Sequence, residues 1–404
     1  MSDVRPPVST ALMLLSNAFD ADPRVYSEAR ALVEAGHRVV IVAWDRDRKC
    51  PAREAIDGIE VVRVFPRSTH GRGVGQALVM PRVLASMVAA GLGVRFDSVQ
   101  AHDFDTLPAA YVLSRLKRKP LLYDSHEDYA GMLHGNIPAR LESLIRHVEA
   151  WFVRRTDVVL TVGETLRQEF VRRGARQCVV VGNWKNLSEF RLPREVRAAV
   201  RAELGIPSDA LVIGFIANLG RERYIAELLE AVHCRPSVHL IIGGNGPMAE
   251  LACAAAQEFP NIHYLGFVPP RQVSRFTAAT DVSYYAFDTS SPNAAYSAPN
   301  KLFEALAAGC ALLSGHFGEI GKIVEQEQCG VLLPDFSVAS IVAALDECRC
   351  GGLLSAWKER AARAGAERYN WEEARKKLLR VYQDMLRTPV AASPESELGK
   401  AVLP

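Results

Sequence analysis

Short apolar runs recur along the chain. Between them lie stretches in which apolar residues return every three or four positions. The first series of runs is 11–16, 38–43, 59–65, 98–101, 121–123, 158–162 and 179–181. Their shortness and β-branched content predict strands buried on both faces of a parallel sheet. The segment 23–35 has helical spacing, and Gly36 stands where a helix C-cap is expected. After Pro207 the pattern starts again. Runs at 211–216, 238–242, 262–265, 282–285, 311–314 and 330–333 alternate with helical stretches, the first of them at 224–232. Strand–helix alternation predicts parallel sheets covered by helices, and two series predict two doubly wound α/β domains. The expected division is a first domain at 1–186 and a second at 187–370. A helix at 371–388 then crosses back to the first domain, and 389–404 is a flexible tail. Ligands of such sheets bind beyond the carboxyl ends of the strands, so two sheets facing a cleft can hold two reactants.

Composition narrows the class. The chain has 404 residues, 49% hydrophobic and 23% charged. That is ordinary globular usage, and it excludes collagen-like, disordered and disulfide-scaffold proteins. Lys plus Arg number 48 against 46 acidic residues, so a dedicated nucleic-acid binder is not indicated. The balance is uneven: 26 basic and 21 acidic residues up to Asn186, then 22 and 25 beyond it. The first domain is therefore the half expected to meet something anionic. None of the eight cysteines sits in a CxxC pair, which predicts reduced, buried thiols and a cytoplasmic setting. No charged-then-apolar leader opens the sequence. The apolar stretch 73–94 is broken by Pro81 and Arg82, so it is not a membrane span. It is either a helix packed on its own sheet or an amphipathic helix touching a membrane, with the basic run Arg115-Leu116-Lys117-Arg118-Lys119 nearby.

Four segments carry candidate chemistry. Pro299-Asn300-Lys301-Leu302-Phe303-Glu304-Ala305-Leu306-Ala307-Ala308-Gly309 opens a helix at Pro299–Asn300 and stops it at Gly309. The helix start offers unpaired N–H groups and a positive dipole end to an anion, and Lys301 adds a cation. Glu304, read as lying off the apolar face, can accept hydrogen bonds from a diol. An ordinary capped surface helix is the alternative. Second, 214–224 reads as strand, turn and helix start, and its Arg221 and Arg223 are either diphosphate ligands or solvated charges. Third, Gly243-Gly244-Asn245-Gly246-Pro247 permits close backbone approach to a ligand, or simply makes a tight turn. Fourth, Tyr123-Asp124-Ser125-His126-Glu127-Asp128 follows a strand and brings His126 to the cleft edge, unless His126 only caps the next helix. By the same logic His102 and Asp103, at the end of the preceding strand, are candidate acceptor contacts.

These segments resemble the retaining glycosyltransferases of the GT-B fold, the glycogen-synthase and phosphatidylinositol-mannosyltransferase superfamily called glycosyltransferase family 4. The resemblance covers roughly Leu12 to Leu386. It implies two Rossmann-like domains facing a cleft, acceptor domain first and nucleotide-sugar donor domain second. The helix start at Ser297, Asn300 and Lys301 then meets the diphosphate, and Glu304 holds the ribose hydroxyls. Gly244, Gly246 and Val268 line the nucleotide, Arg223 and Arg221 stabilise the departing diphosphate, and His126 stands beside the donor sugar. There are departures. Tyr296 occupies the place of the family's other glutamate, which normally contacts the donor sugar; backbone groups at 297–300 are expected to take over. Tyr224 replaces a glycine, and Asn218 stands where an arginine is frequent.

The implied function is retaining transfer of a hexosyl or N-acetylhexosaminyl group from a nucleoside diphosphate sugar, UDP-linked by default, to an acceptor hydroxyl. The acceptor is a small molecule or lipid-linked. No cofactor is implied and no metal is assigned, because the Asp-x-Asp strings at 20/22, 45/47 and 103/105 all fall in the first domain. The expected location is cytoplasmic, with peripheral contact on the inner membrane face as the variant for a lipid acceptor. A nucleotide-sugar epimerase or hydrolase on the same fold, and a catalytically silent partner subunit, are the competing readings.

Overall fold

The computed structural model describes residues 9–20, 22–67 and 74–387, with side chains for all of these except 74–77. The expected flexible tail lies outside the described residues. The chain forms two compact units. Of the described residues, one comprises those up to Thr161, Arg167–Val180 and Arg375–Arg387; the other comprises Val162–Leu166 and Val181–Ala374.

The first unit is built on β1 (Thr10–Leu15), β2 (Arg38–Trp44), β3 (Arg53–Ile56), β4 (Ile59–Val64), β5 (Ser98–His102), β6 (Leu121–Ser125), β7 (Val158–Thr161) and β8 (Cys178–Val180). Their order in the sheet is β3-β4-β2-β1-β5-β6-β7-β8, and every pair is parallel except β3 with β4. Strands β5, β6 and β7 are buried at every position, which is why they read as unbroken apolar runs. Strand β3 was not among the expected strands. It is a half-exposed edge strand, Arg-Glu-Ala-Ile, joined to β4 by Asp57-Gly58, both at positive φ. An edge strand needs no apolar run, and the Asp-Gly pair was its sequence signal.

The second unit is built on β9 (Leu211–Ile216), β10 (Val238–Gly243), β11 (Ile262–Tyr264), β12 (Val282–Tyr285), β13 (Ala311–Gly315) and β14 (Gly330–Leu333). The order is β11-β10-β9-β12-β13-β14, parallel throughout. Alternate residues of β9 feed two cores: Ile213 and Phe215 join one, Val212 and Ile216 the other. That is the signature of a sheet covered on both faces.

Each sheet has a point where strand order reverses, between β1 and β5 in the first unit and between β9 and β12 in the second. Loops leaving the carboxyl ends of neighbouring strands part there and open a crevice. Asp103 follows β5; Asn218, Arg221 and Arg223 follow β9; and Tyr296, Ser297, Asn300 and Lys301 follow β12. His126, Gly244 with Gly246, and Val268 follow β6, β10 and β11.

Helix Val74–Leu92 continues through Pro81 and packs on β2, β4 and helix Leu107–Lys117, with Val83 and Met87 fully buried. The C-terminal helix, Trp371–Arg387, starts in the second unit. From Arg375 it belongs to the first, where Tyr382 is fully buried and donates to Gln100 Oε1. All eight cysteines are free thiols; Cys310, Cys329 and Cys348 are buried, whereas Cys234 and Cys350 are exposed, so burial is not general to them.

Candidate active site

In the second unit, β9 ends in the loop Ala217–Gly220, a 3-10 turn at Arg221–Arg223, and helix Ile225–His233. Tyr224 joins turn to helix in the left-handed region, with φ 51°. This is the position where the resembling family carries glycine, and the backbone here keeps the conformation that favours glycine. The Tyr224 ring stacks on Phe336 with centroids 4.7 Å apart, which offsets the steric cost.

The turn fixes Arg223 and leaves Arg221 loose. The Arg223 guanidinium lies over Tyr285 at 4.9 Å and Phe287 at 4.5 Å. Its Nη1 donates to Tyr285 Oη at 2.5 Å and to Ala286 O at 3.3 Å. Its Nε is buried without a hydrogen-bond partner among the described residues. Glu222 Oε1 stands 3.5 Å from it, an ion pair too long for a hydrogen bond, so the Nε–H can still donate to an incoming anion. Arg221 is exposed, and among the described residues its side chain has no partner.

The glycine cluster packs against the neighbouring loop. A Cβ on Gly244 would sit 1.8 Å from Ala217 O, and one on Gly246 would meet Leu219 O at 2.5 Å and Asn218 Oδ1 at 2.6 Å. The space is taken by the chain itself. Missing Cβ atoms let the β9 and β10 loops nest, tied by Leu219 N to Asn245 O and Met248 N to Leu219 O. Asn218 is exposed at the rim of this nest. Val268 is buried and packs where a Gly243 Cβ would lie.

Helix Asn300–Ala308 starts after Pro299 with no side-chain cap; Leu302 N–H turns back to Pro299 O at 3.1 Å, and the Asn300 and Lys301 N–H groups ahead of it have no partner among the described residues. Lys185 Nζ donates to Asn300 Oδ1 at 2.6 Å and stands 4.0 Å from Glu304 Oε1. Lys301 Nζ is 2.6 Å from Glu304 Oε2. Burial pushes the Lys185 ammonium below its ordinary pKa, against the pull of Glu304. Glu304 is not off the buried face as its sequence position suggested. It is 8% exposed, held between two lysines, and it lines a small crevice with Gly214, Ile216, Thr277, Thr280, Ser283 and Lys301. Ser297 O accepts from Glu319 N, and Gly318 packs so closely on Ser297 and Ala294 that a Cβ would meet Ser297 O at 2.5 Å. Tyr296 is half-buried at the end of the turn before it.

In the first unit the charged groups converge at the ends of β5 and β6. Asp103 follows β5 with φ 61°, a left-handed conformation that a loop retains only when its surroundings enforce it. His126 follows β6. Its Nε2 lies 2.8 Å from Asp124 Oδ2 and its Nδ1 3.3 Å from Asp103 Oδ2. Its backbone N–H donates to Asp103 Oδ1 at 3.2 Å. Both ring nitrogens thus face carboxylates, and both must carry protons to bond them. Burial alone would depress the imidazolium, but Asp103 and Asp124 outweigh it and raise its pKa well above the ordinary value. His126 is a fixed cation rather than a free proton shuttle.

Asp124 is fully buried. Arg24 grips it with Nη2 on Oδ1 at 2.5 Å and Nε on Oδ2 at 3.0 Å, and this pairing, despite burial, keeps the carboxyl well below its ordinary range. His102 corrects the sequence reading: it is fully buried, with Nδ1 3.1 Å from Asp124 Oδ2, and no acceptor can reach it. Asp103 remains accessible, its side chain 38% exposed. Ligand atoms of His102, Asp124 and His126 lie within 4.8 Å of one another. The Arg24 guanidinium already occupies both Asp124 oxygens, which opposes a metal cation at that point. Asp105 was read only as part of an Asp-x-Asp string. Burial, then the Asp103 charge, pushes its carboxyl up to about 7, and its Oδ1 has no partner among the described residues.

Asp124 lies in the candidate segment with His126, whereas sequence reasoning missed Arg24, Lys185, the Tyr285–Phe287 pair and any role for Asp105 beyond its string. Only Arg24 left a signal: an arginine in the first turn of helix Pro23–Glu34 opposes the helix dipole, so it needs a carboxylate elsewhere.

Residues 21–184 match the glycosyl transferase 4-like domain, and residues 196–384 match the glycosyl transferases group 1 domain. The chain is a GT-B glycosyltransferase of the group 1 family. Glycogen synthase of Mycobacterium tuberculosis is 25% identical to this transferase over 94% of each chain. Among solved structures, sucrose-phosphate synthase from Thermosynechococcus elongatus superposes with a TM-score of 0.78 at 15% identity, over 93% of this chain and 99% of that one. HepE from Anabaena, solved in complex with UDP, gives 0.69 at 15% identity over 93% and 100%. At such identities the structures support the fold. The epimerase or hydrolase reading finds no support among them.

Proposed function

We propose that this transferase moves a hexosyl group from a UDP-sugar to an acceptor hydroxyl, with retention of configuration and without a metal. The observation that carries the reading is the preset Arg223 guanidinium, stacked on two aromatic rings, with a buried Nε–H that makes no hydrogen bond among the described residues and has only Glu222 Oε1 at 3.5 Å. It is a donor aimed at a charge that develops on the leaving diphosphate, and preorganised donors of this kind supply the largest catalytic term. The open start of helix Asn300–Ala308 and Lys301 add positive potential in the same unit. Glu304 takes the ribose hydroxyls. Uridine is assigned because HepE was solved with UDP and with UDP-glucose.

In the first unit Asp103 is the acceptor-side carboxylate, and His126 is a positioning residue that holds the loops after β5 and β6. With both its nitrogens committed, the acceptor proton goes to an oxygen of the departing phosphate, which stays on the face being attacked. That proton route is the one compatible with retention when no side-chain nucleophile is at hand. The cations of the second unit do the work a divalent metal does elsewhere. The test is a thermal-shift panel of uridine, guanosine, adenosine and thymidine diphosphates, in chelator. Stabilisation by UDP is expected to exceed that by the others. The absence of any nucleotide effect would sink the proposal.

A further inference from the structure

Helix Ala139–Val153 in the first unit is packed the wrong way round for a core helix. Its fully buried side chains include Glu149, which accepts from Tyr123 Oη and pairs with Arg173 at 2.7 Å. Its solvent side carries Leu141, Leu144, Val148 and Trp151, exposed by 42%, 57%, 39% and 40%. Their spacing of three, four and three residues places them in one stripe along the helix. The neighbouring helix Leu107–Lys117 extends the apolar surface with Val112 and Leu116, exposed by 41% and 61%. The two helices touch through Tyr111, whose ring lies 5.5 Å from Trp151 and 5.3 Å from Phe152. Single exposed apolar residues mean nothing; a contiguous row on adjoining helices marks an interaction surface.

Charge identifies the occupant. Arg115 and Arg155 lie flat over Tyr111 and Trp151, at 4.9 and 3.9 Å, so each cation borders the apolar row. Lys117, Arg118 and Arg140 are exposed and form no ion pair among the described residues. Glu142, the one acidic residue in the first turn of helix Ala139–Val153, is taken up by His134 and Arg146. The unpaired charges along the row are thus all positive, whereas a protein interface asks only for a polar rim. An apolar stripe with a tryptophan, fringed by unpaired Arg and Lys, instead matches the boundary between acyl chains and phosphate groups. No helix among the described residues is long and apolar enough to cross a membrane, so the contact lies in the plane of the surface. The face also reaches the acceptor end of the unit. Phe104, between Asp103 and Asp105, packs on Phe152 at 6.4 Å and on Tyr129 at 5.2 Å.

We propose that helix Ala139–Val153 and the end of helix Leu107–Lys117 dock the first unit on an anionic bilayer, which delivers a lipid-anchored acceptor to Asp103. The docking stands on its own; the delivery rests on the glycosyl-transfer reading. The test uses the full chain and vesicles of phosphatidylcholine with about 30% phosphatidylglycerol, read by co-sedimentation and by quenching of tryptophan fluorescence with brominated lipid. Partition onto the anionic vesicles is expected, with little onto pure phosphatidylcholine, and it should fall at about 0.5 M salt. Quenching should vanish in Trp151→Phe. The pair Leu144→Gln and Val148→Gln should cut partition by roughly tenfold or more, and each of Arg115→Gln, Lys117→Gln and Arg118→Gln by about fivefold. UDP binding in the same variants reports folding, and its absence from the unaltered chain would overturn the transferase reading without touching the vesicle result. The docking is overturned if the chain ignores anionic vesicles at low salt, or if the Leu144 and Val148 changes leave partition intact. It is likewise overturned if those changes abolish self-association in solution instead.

Discussion

Replacing Glu304 by glutamine tests the donor site at its most legible point. The carboxylate touches Lys301 Nζ at 2.6 Å and lies 4.0 Å from Lys185 Nζ. Glutamine keeps the volume and one acceptor oxygen, so no cavity opens. What changes is charge. A hydrogen bond to an ionised acceptor is worth about 1.5–3 kcal/mol and one to a neutral acceptor about 0.5–1.5. The ribose hydroxyls should therefore lose about 1–2 kcal/mol, or roughly five- to thirtyfold in Kd for UDP. Two secondary effects have known signs. Lys185 and Lys301 lose their counter-charge; both side chains are about one-fifth exposed, so screening limits the cost to about 0.5–1 kcal/mol of stability. That corresponds to a drop of about 1–4 °C in Tm for a unit of this size. The freed lysines also make the site more cationic, so pyrophosphate should bind at least as well as before. Calorimetry with UDP and with pyrophosphate separates these terms. UDP affinity within twofold of the parent in a folded variant would refute the assignment. So would a fall in pyrophosphate affinity as large as the fall for UDP, since that would place Glu304 at the phosphates.

Nitrogen shifts of His126 should report an imidazolium throughout pH 6–8. Its raised pKa contributes stability that is complete below about 6.5 and is lost only as pH climbs through the folded value, while the depressed Asp103 and Asp124 contribute above about 3.9 and lose it on acidification. A neutral His126 at pH 7 would contradict the two-carboxylate geometry. Asp103→Asn should cost only about 0.5–1 kcal/mol, because that carboxylate is partly exposed and screened. Asp124→Asn should cost about 3–5 kcal/mol by denaturant titration, since it removes the carboxylate that Arg24 grips with two nitrogens and leaves that guanidinium, among the described residues, Glu28 at 3.1 Å; a loss under about 1 kcal/mol would show that the pair is not the keystone of this loop. Arg223→Lys should lower kcat by about a hundredfold with little change in stability, while Arg221→Ala changes it less than about threefold. The reverse order would exchange their roles. Turnover should survive exhaustive chelation, and activity recovered only with manganese or magnesium would replace arginine neutralisation with metal catalysis.

The sequence by itself determined what depends on neighbours along the chain. Strands β5, β6 and β7 were legible because burial on both faces leaves no polar position to interrupt an apolar run. The start of helix Asn300–Ala308 and its stop at Gly309 were legible because Pro and Gly act on their own backbone angles. Tertiary structure decided what depends on residues far apart. Strand β3 exists because β4 offers it an open edge, which no run of four half-exposed residues announces. Gly244 and Gly246 need to be glycine because of Ala217 and Leu219, on another loop. His126 owes its charge to Asp103 and Asp124, and Asp124 owes its ionisation to Arg24, a hundred residues earlier. Glu304 was read one helical face out of place, since its burial is made possible by Lys185, which spacing within its own helix cannot reveal. Periodicity encodes which face of an element turns inward; which charges meet there is set by packing, because electrostatic partners need closeness in space and none in sequence.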